Sequence, residues 1–289
     1  MKPETIDGIK SLIEKRSSKL RYLHISWFGG EPLLAKDIVM DISAYAQSLA
    51  SQYFDLTYSG GMTINGYLLD VNTLHALVDV GVTQYQISLD GPKEIHDRTR
   101  IRADGKSTFQ RIWSNLMAIR DSSLPVSILL RLHLTADTFQ LIDPLLEDIK
   151  RELLPDPRFS AFFKPIEHLG GPNDPNINTV SEHDKKIIIS SLEYKLFGDG
   201  SNSIEYQKNA APSDDYVCYA SRPNSLIIRA DGSIGKCTVA LTDKRNHVGT
   251  LTSDGKLELN PDRLRPWMRG IETLDPETLG CPLVSLPLE

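Results

Sequence analysis

An alternation of strand-like and helix-like segments runs through the first 166 residues and limits the folds that this chain can adopt. Strands are predicted at 22–28, 56–65, 83–89, 126–134 and 159–166, and helices at 2–16, 36–53, 70–80, from 107 or 108, and at 138–153. Asp70 is expected to cap the third helix, and Pro144 is expected to kink the last one. Repeated strand–helix units predict a parallel sheet with right-handed crossovers, either closed as a barrel or open.

The first strand ends in Gly29-Gly30-Glu31-Pro32. Its apolar residues alternate with polar or aromatic ones, and we expect it to be buried. Two glycines at a strand end leave the backbone bare, and Glu31 adds a carboxylate, which together suit a ligand that carries an ammonium group. The alternative is a tight turn with Glu31 in the first turn of a helix, where acids are favoured in any case. This stretch alone favours the turn.

Polar side chains recur on one face near the carboxyl ends of several predicted strands. They are Ser26, Asn65, Ser88, Asp90, Arg131 and His133. Strands of a parallel sheet are normally near-continuous apolar runs, and α/β folds place their ligands at the carboxyl ends of strands. A satisfied hydrogen-bond network inside a barrel is the alternative, but the agreement of four strands favours a ligand site. No catalytic acid or base can be assigned among Asp90, His133, Lys164 and Glu167.

Size and charge set further bounds. A chain of 289 residues can form one large α/β domain with a small appendage, and a net charge of −6 without a basic cluster argues against nucleic-acid binding. We find neither an apolar run long enough to span a bilayer nor a signal peptide, so we expect no membrane partner and a cytoplasmic protein.

All three cysteines, Cys218, Cys237 and Cys281, lie in the last quarter of the chain. An odd number without a secretory signal argues against a disulfide framework. Their clustering indicates an iron–sulfur or zinc site, with buried apolar cysteines as the alternative. Residues 226–234 are predicted to form a β-hairpin around an Asp231-Gly232 turn.

Several motifs resemble a known family. They are Trp27-Phe28-Gly29-Gly30-Glu31-Pro32-Leu33-Leu34, Thr63-Ile64-Asn65-Gly66, Ser88-Leu89-Asp90-Gly91-Pro92 with His96-Asp97-Arg98, and Ser107-Thr108-Phe109. In content, order and spacing they resemble the radical S-adenosylmethionine (SAM) enzymes with a C-terminal SPASM domain, nearest to the peptide-modifying and anaerobic sulfatase-maturase branch. The resemblance implies a partial (β/α)6 TIM-like barrel without its first strand over 1–172, a connection over 173–212, and a small SPASM-like domain that contains the β-hairpin over 213–289.

The same resemblance implies the cofactor sites. The SAM amino group would lie at Gly29, Gly30 and Glu31, and its carboxylate and ribose at Asn65, Ser88, Asp90 and Arg131. Cys218, thirteen residues, Gly232, four residues and Cys237 match the opening of a SPASM domain, and Cys281 falls where its second cysteine group begins. The three cysteines would therefore hold an auxiliary [4Fe–4S] cluster.

The implied activity is modification of a peptide or protein side chain through a 5′-deoxyadenosyl radical, with a flavodoxin or ferredoxin as electron donor. Two features depart from the family pattern. The CxxxCxxC loop that holds the catalytic cluster is absent from the sequence, and Val284 stands where a cysteine is expected. The chain also opens with a helix instead of a strand, so we expect a shortened N-terminus. The alternative is a degenerate barrel that binds SAM or a peptide without radical chemistry. Substrate specificity is expected to come from loops 170–178 and 199–215.

Overall fold

A computed structural model describes residues 1–168, 176–198, 216–284 and 286–287. They form two compact units: Tyr22–Gln47 with the described part of Thr57–Tyr206, and Met1–Arg21 and Ser48–Leu56 with the described part of Gln207–Glu289. The domain boundaries predicted near 172 and 212, and most of the two predicted specificity loops, lie outside the described residues. Within the described ranges, no helix is long and apolar enough to cross a membrane.

The first unit contains a five-stranded parallel sheet in the order β1-β2-β3-β4-β5. This confirms the predicted α/β class with a partial barrel. The strands are β1 (Tyr22–Trp27), β2 (Thr57–Ile64), β3 (Val82–Leu89), β4 (Ser127–Leu134) and β5 (Phe159–Pro165). Among the described residues up to 198, the α-helices are α1 (Pro3–Ser17), α2 (Lys36–Gln52), α3 (Val71–Asp79), α4 (Lys93–Thr99), α5 (Phe109–Arg120), α6 (Asp143–Glu152) and α7 (Glu182–Phe197).

The two faces of this sheet differ in chemistry. Ile64, Ile87, Leu130 and Ala161 lie side by side in register and share one hydrophobic core with residues of the surrounding helices, such as Leu116. The opposite face, here called the polar face, carries Ser26, Thr63, Gln86, Ser88, Arg131, His133 and Lys164. A parallel sheet with one apolar and one polar face is typical of a barrel wall, whose inner face can line a site.

Three local predictions are wrong. β1 is not buried: it is the edge strand of the described sheet, and Tyr22 is 56% exposed. Pro144 does not kink a long helix but lies in the first turn of α6, where its missing N–H costs no hydrogen bond. The segment after Pro92, for which no helix was predicted before residue 107, contains helix α4.

The start of α5 follows the prediction in position but not in chemistry. The side chain of Thr108 donates to the carbonyl of Arg100 instead of capping the helix. The Asp97 carboxylate accepts the backbone N–H groups of Thr108 and Phe109, each at 2.9 Å. A side chain remote in sequence therefore replaces the local cap.

The second unit contains an antiparallel sheet of four short strands in sequential order. They are β6 (Ile227–Ile228), β7 (Ser233–Gly235), β8 (Gly249–Leu251) and β9 (Leu257–Leu259), followed by helices α8 (Pro261–Thr273) and α9 (Pro276–Gly280). The predicted hairpin is confirmed as β6–β7, with Gly232 at φ +86° in its turn. Helix α1 packs on this sheet, because Gly8 lies so close to the Thr252 carbonyl that a side chain would not fit.

Candidate functional site

The backbone after β1 is bare and exposed at Gly29 and Gly30. Gly29 has a φ of +106°, which side chains rarely adopt, and a Cβ placed on either glycine would meet no described atom within 4 Å. The chain therefore presents open peptide groups at the carboxyl end of β1, as expected for a ligand that approaches the backbone closely.

Glu31 connects the ends of β1 and β2. Its Oε1 accepts the N–H of Leu33 at 3.2 Å and so caps the short 3₁₀ helix Pro32–Ala35, while its Oε2 accepts the N–H of Asn65 at 2.9 Å. The turn interpretation is thus confirmed, with Glu31 as the cap, while the ammonium site stays a prediction for which each carboxylate oxygen retains a further lone pair.

The loop after β2 is held by its own hydrogen bonds. The side-chain oxygen of Asn65 accepts the N–H of Tyr67 at 2.8 Å, and Gly66 adopts a φ of +80°. Asn115, from α5, donates to the carbonyl of Gly66 at 2.9 Å. The sequence analysis did not predict this contact. The available signal was an asparagine among the apolar residues of one helix face. The side-chain oxygen of Asn65 therefore already has a hydrogen-bond partner within the loop.

Ser88 and Arg131 lie side by side on the polar face, in register between β3 and β4. Ser88 is only 6% exposed, and the Nε of Arg131 is buried without a hydrogen-bond partner in the described part of the chain. Burial lowers the pKa of Arg131, and Arg100 lowers it further against the opposite effects of Glu167 and Asp90. A buried guanidinium nitrogen without an acceptor is costly, so this position fits an anionic group such as a carboxylate.

Asp90 is the centre of a hydrogen-bonded cluster at the end of β3. Its Oδ1 accepts the Nε–H of Arg100 at 2.8 Å and lies 2.8 Å from Nδ1 of His133, and its Oδ2 accepts the hydroxyl of Thr99 at 2.8 Å. Burial alone would raise the pKa of Asp90, but His133 and Arg100 outweigh it and hold this pKa well below its usual range. Asp90 is therefore an ionised carboxylate whose oxygens are engaged by the protein.

Helix α4 supplies a further anchor that the sequence did not reveal. His96 is fully buried, its Nδ1 accepts the N–H of Asp90 at 3.3 Å, and its ring packs edge-on against Phe109. Burial lowers the pKa of His96 to about 4, so the ring is neutral at pH 7. In the sequence, the signal that could have predicted α4 is Pro92, because proline is common at helix starts.

The cysteines of the second unit lie near one another. Cys218 is half-buried, Cys237 is buried and Cys281 is exposed, and the N–H of Cys218 bonds the carbonyl of Leu279 at 2.9 Å. Burial raises the pKa of Cys218, and the neighbouring thiols Cys281 and Cys237 raise it further. Within the described ranges, no three His, Cys, Asp or Glu side chains are arranged to hold a metal ion. The three-cysteine site therefore stays a prediction.

Two buried polar residues, both missed from the sequence, shape the loop around Cys237. Lys236 is fully buried, and its ammonium donates to the carbonyls of Arg222 and Ser225. The side-chain oxygen of Asn246 accepts the N–H groups of Lys236 and Cys237, at 2.8 and 2.9 Å. The loop is thus held by hydrogen bonds of Lys236 and Asn246.

Residues 1–148 match the family described as the radical SAM superfamily. The chain belongs to this superfamily. Among curated proteins, it is 25% identical over 238 residues to the cysteine-type anaerobic sulfatase-maturating enzyme of Clostridium novyi (strain NT). That match covers 75% of this chain, which spans only 59% of the length of the relative.

Solved structures with the same fold include proteins that hold a bound peptide. Native anSMEcpe with bound AdoMet and Kp18Cys peptide superimposes with a TM-score of 0.67 at 17% identity, over 93% of this chain and 75% of that one. Streptococcus suis SuiB bound to its precursor peptide SuiA gives a TM-score of 0.58 at 14% identity, over 92% of this chain and 60% of that one. At these identities the likeness establishes the shared fold.

Proposed function

We propose that this chain binds SAM on its polar face and, together with [4Fe–4S] clusters, serves in the radical modification of a peptide or protein side chain. The observation that carries the SAM site is the buried Nε of Arg131, which has no described partner and lies beside Ser88. Membership of the radical SAM superfamily makes the carboxylate of SAM the anionic group to test there.

The proposed roles follow from the contacts. The exposed backbone at Gly29 and Gly30 and the remaining lone pairs of Glu31 would receive the SAM ammonium group. Arg131, with Ser88 beside it, would receive the carboxylate. Asn65 would contribute through the NH₂ group of its side chain, because its side-chain oxygen already accepts the N–H of Tyr67.

Asp90 takes a different role in this proposal. Its oxygens already receive hydrogen bonds from Thr99, Arg100 and His133. A carboxylate with this many protein donors is less available to a ribose hydroxyl than the sequence motif implies. We infer that Asp90 positions its neighbours around the ligand.

When bound together, SAM and a reduced [4Fe–4S] cluster supply a carbon radical that removes a hydrogen atom from a substrate. The three cysteines of this sequence, Cys218, Cys237 and Cys281, are proposed to hold an auxiliary cluster. A peptide or protein substrate is proposed because peptides are bound in the anSMEcpe and SuiB structures, and a flavodoxin or ferredoxin is proposed as electron donor.

SAM binding is tested by equilibrium dialysis with radiolabelled SAM. We expect Glu31→Gln to weaken binding by about tenfold or more, since a hydrogen bond between charged groups contributes about 1.5–3 kcal/mol. Glu94→Gln is the matched control, because Glu94 is an exposed acid of the same unit, and it should leave affinity unchanged. Equal affinity in both variants would remove Glu31 from the site.

Radical chemistry is tested separately, by anaerobic reconstitution with iron and sulfide and assay for 5′-deoxyadenosine. The same assay is run on this chain and on a chain extended upstream to any encoded CxxxCxxC loop. We expect turnover only where that loop is present. SAM binding in both proteins without 5′-deoxyadenosine from either would instead support the degenerate barrel.

A further inference from the structure

The contacts of His133 fix its protonation pattern. Its Nδ1 lies 2.8 Å from Oδ1 of Asp90, and this carboxylate is ionised because His133 and Arg100 hold its pKa low in spite of burial. An ionised carboxylate can only accept, so the shorter of the two contacts of Nδ1 assigns the proton to Nδ1. Nη2 of Arg100 lies 3.1 Å from Nδ1 but finds no acceptor there, because Nδ1 is itself a donor. Arg100 instead donates from its Nε to Asp90. In the neutral ring, the lone pair is consequently on Nε2.

The surroundings keep this ring neutral at pH 7. Burial lowers the pKa of His133, Asp90 opposes this effect, and the cations Arg131 and Arg100 add to it. The groups around the ring are Asp90 at the end of β3, neutral His96 on α4, Arg100 after α4, Arg131 on its own strand and Lys164, its register partner on β5. A neutral imidazole oriented by a carboxylate is the arrangement of a general base.

The position of His133 places it beside the proposed SAM site. It lies two residues after Arg131 on the same face of β4, towards the carboxyl end of the strand. Its side chain is 11% exposed, so it is not fully enclosed by the described residues.

We propose that His133 is the proton acceptor of this site, with Asp90 and Arg100 as its positioning residues. The inference rests on the proposed function, because it takes the polar face to be where substrate meets SAM. Nε2 takes a proton from a hydroxyl, thiol or ammonium group of the substrate. The bonding pair stays on the substrate heteroatom, the ring becomes an imidazolium next to ionised Asp90, and it later releases the proton to water.

The first experiment determines the tautomer in the full 289-residue chain. Long-range ¹H–¹⁵N NMR of the histidine rings, with His133→Gln to assign the signals, should show His133 protonated only on Nδ1 at pH 7, with a pKa below 6.5. A ring protonated on Nε2, or on both nitrogens, would overturn the proposal. This result does not depend on SAM binding.

The second experiment uses diethyl pyrocarbonate, which reacts with an unprotonated ring nitrogen, followed by peptide mapping. At a SAM concentration ten times its Kd, modification of His133 should slow by about tenfold, as mass action requires. Modification of exposed His75 should not change. If dialysis shows SAM bound while His133 reacts at an unchanged rate, the assignment to this site is wrong. If SAM does not bind at all, the proposed function fails, and the NMR result still decides the tautomer.

Asp90→Asn provides the test of positioning. An amide in place of the carboxylate can donate to Nδ1 and so move the proton to Nε2. We expect the NMR signature to invert and modification of His133 to slow by about tenfold or more, because only the minority tautomer presents a bare Nε2. Thr99→Val removes a hydrogen bond from the other oxygen of Asp90 and should leave the His133 tautomer unchanged. An unaltered tautomer in folded Asp90→Asn would exclude Asp90 as the positioning residue.

Discussion

Two regions of the molecule differ in how fully their side chains are paired with one another. One is the polar cluster around Asp90, and the other is the region of the three cysteines. At Asp90, donors from α4, the segment after it and β4 converge on one carboxylate at 2.8 Å. At the cysteines, the backbone is held by Asn246 and Leu279, but the thiols range from buried to exposed and do not form a metal-binding group among the described residues.

The difference shows what each kind of site needs. Opposite charges and hydrogen-bond donors attract one another directly, so a cluster such as that of Asp90 forms as the chain folds. Thiols repel one another once ionised, and the energy that brings them together comes from the metal. We therefore expect the first region to contribute to stability in the metal-free protein and the second to do so mainly when a cluster is bound.

The largest effect is expected at Asp90. Asp90→Asn removes the charge that pairs with Arg100 and orients the neutral ring of His133, and it should lower the free energy of unfolding by about 3 kcal/mol, the lower end of the cost of breaking a buried pair, because Arg100 is partly exposed. Urea denaturation at pH 7 measures the change. Asp104→Asn is the control, because its ion pair with Arg102 is exposed and should contribute less than about 1 kcal/mol. Equal losses in both variants would mean that the cluster is not a stabilising unit.

The next effect is a pH dependence that originates in His96. Its pKa is about 4 in the folded chain against 6.5 in the unfolded chain, so the unfolded chain binds more protons between these values. The contribution of His96 to the free energy of unfolding should be fully present above pH 6.5. It should fall by about 2–3 kcal/mol on acidification to pH 4.

His96→Asn keeps an acceptor near the N–H of Asp90 and has no group that titrates in this range. Its unfolding free energy should therefore fall less between pH 7 and 4 than that of the wild type. Parallel pH profiles of the two proteins would contradict the buried neutral ring.

A smaller effect is expected at the cysteines in reduced, metal-free protein. Cys237→Ser places a hydroxyl in an apolar core and should cost about 1–2 kcal/mol, whereas exposed Cys281→Ser should stay within about 0.5 kcal/mol. After anaerobic reconstitution, both substitutions should reduce bound iron alike if the predicted cluster forms. Loss of iron from only one variant would break the three-cysteine assignment.

The smallest effect on stability is expected at the two glycines after β1, which should respond differently to alanine. Gly29→Ala should cost about 1 kcal/mol because of its positive φ, while Gly30→Ala should leave stability unchanged. Thermal unfolding measures both. If the bare backbone contacts SAM, Gly30→Ala should still weaken SAM binding in dialysis, and a Gly30→Ala variant with unchanged affinity would place the ligand elsewhere.

The architecture was predictable because it depends on periodicity. The five strands of the parallel sheet were located to within one or two residues, since alternating runs and glycine or asparagine punctuation are local properties. The burial of β1 could not be predicted in this way. Whether a strand lies at an edge depends on the order of strands in the sheet, and the sequence of Tyr22–Trp27 contains no information on its neighbours.

The strand face that carries the candidate residues was predictable, but their contacts were not. Ser88 and Arg131 were placed on one face by alternation, which the register bears out. The roles of Thr99, Arg100 and His96 depend on α4 folding back onto Asp90, a long-range arrangement that no local pattern specifies. The same holds for Asn246, which orders the Cys237 loop from nine residues away.

The central claim is that the polar face binds SAM through Arg131, and the affinity of Arg131→Met for SAM tests it most directly. Equilibrium dialysis compares this variant with the wild type and with Arg98→Met, which removes an exposed arginine of the same unit. We expect Arg131→Met to lose about tenfold or more in affinity, since an ionic hydrogen bond contributes about 1.5–3 kcal/mol, while Arg98→Met binds normally. Equal SAM affinity in all three proteins would contradict the account.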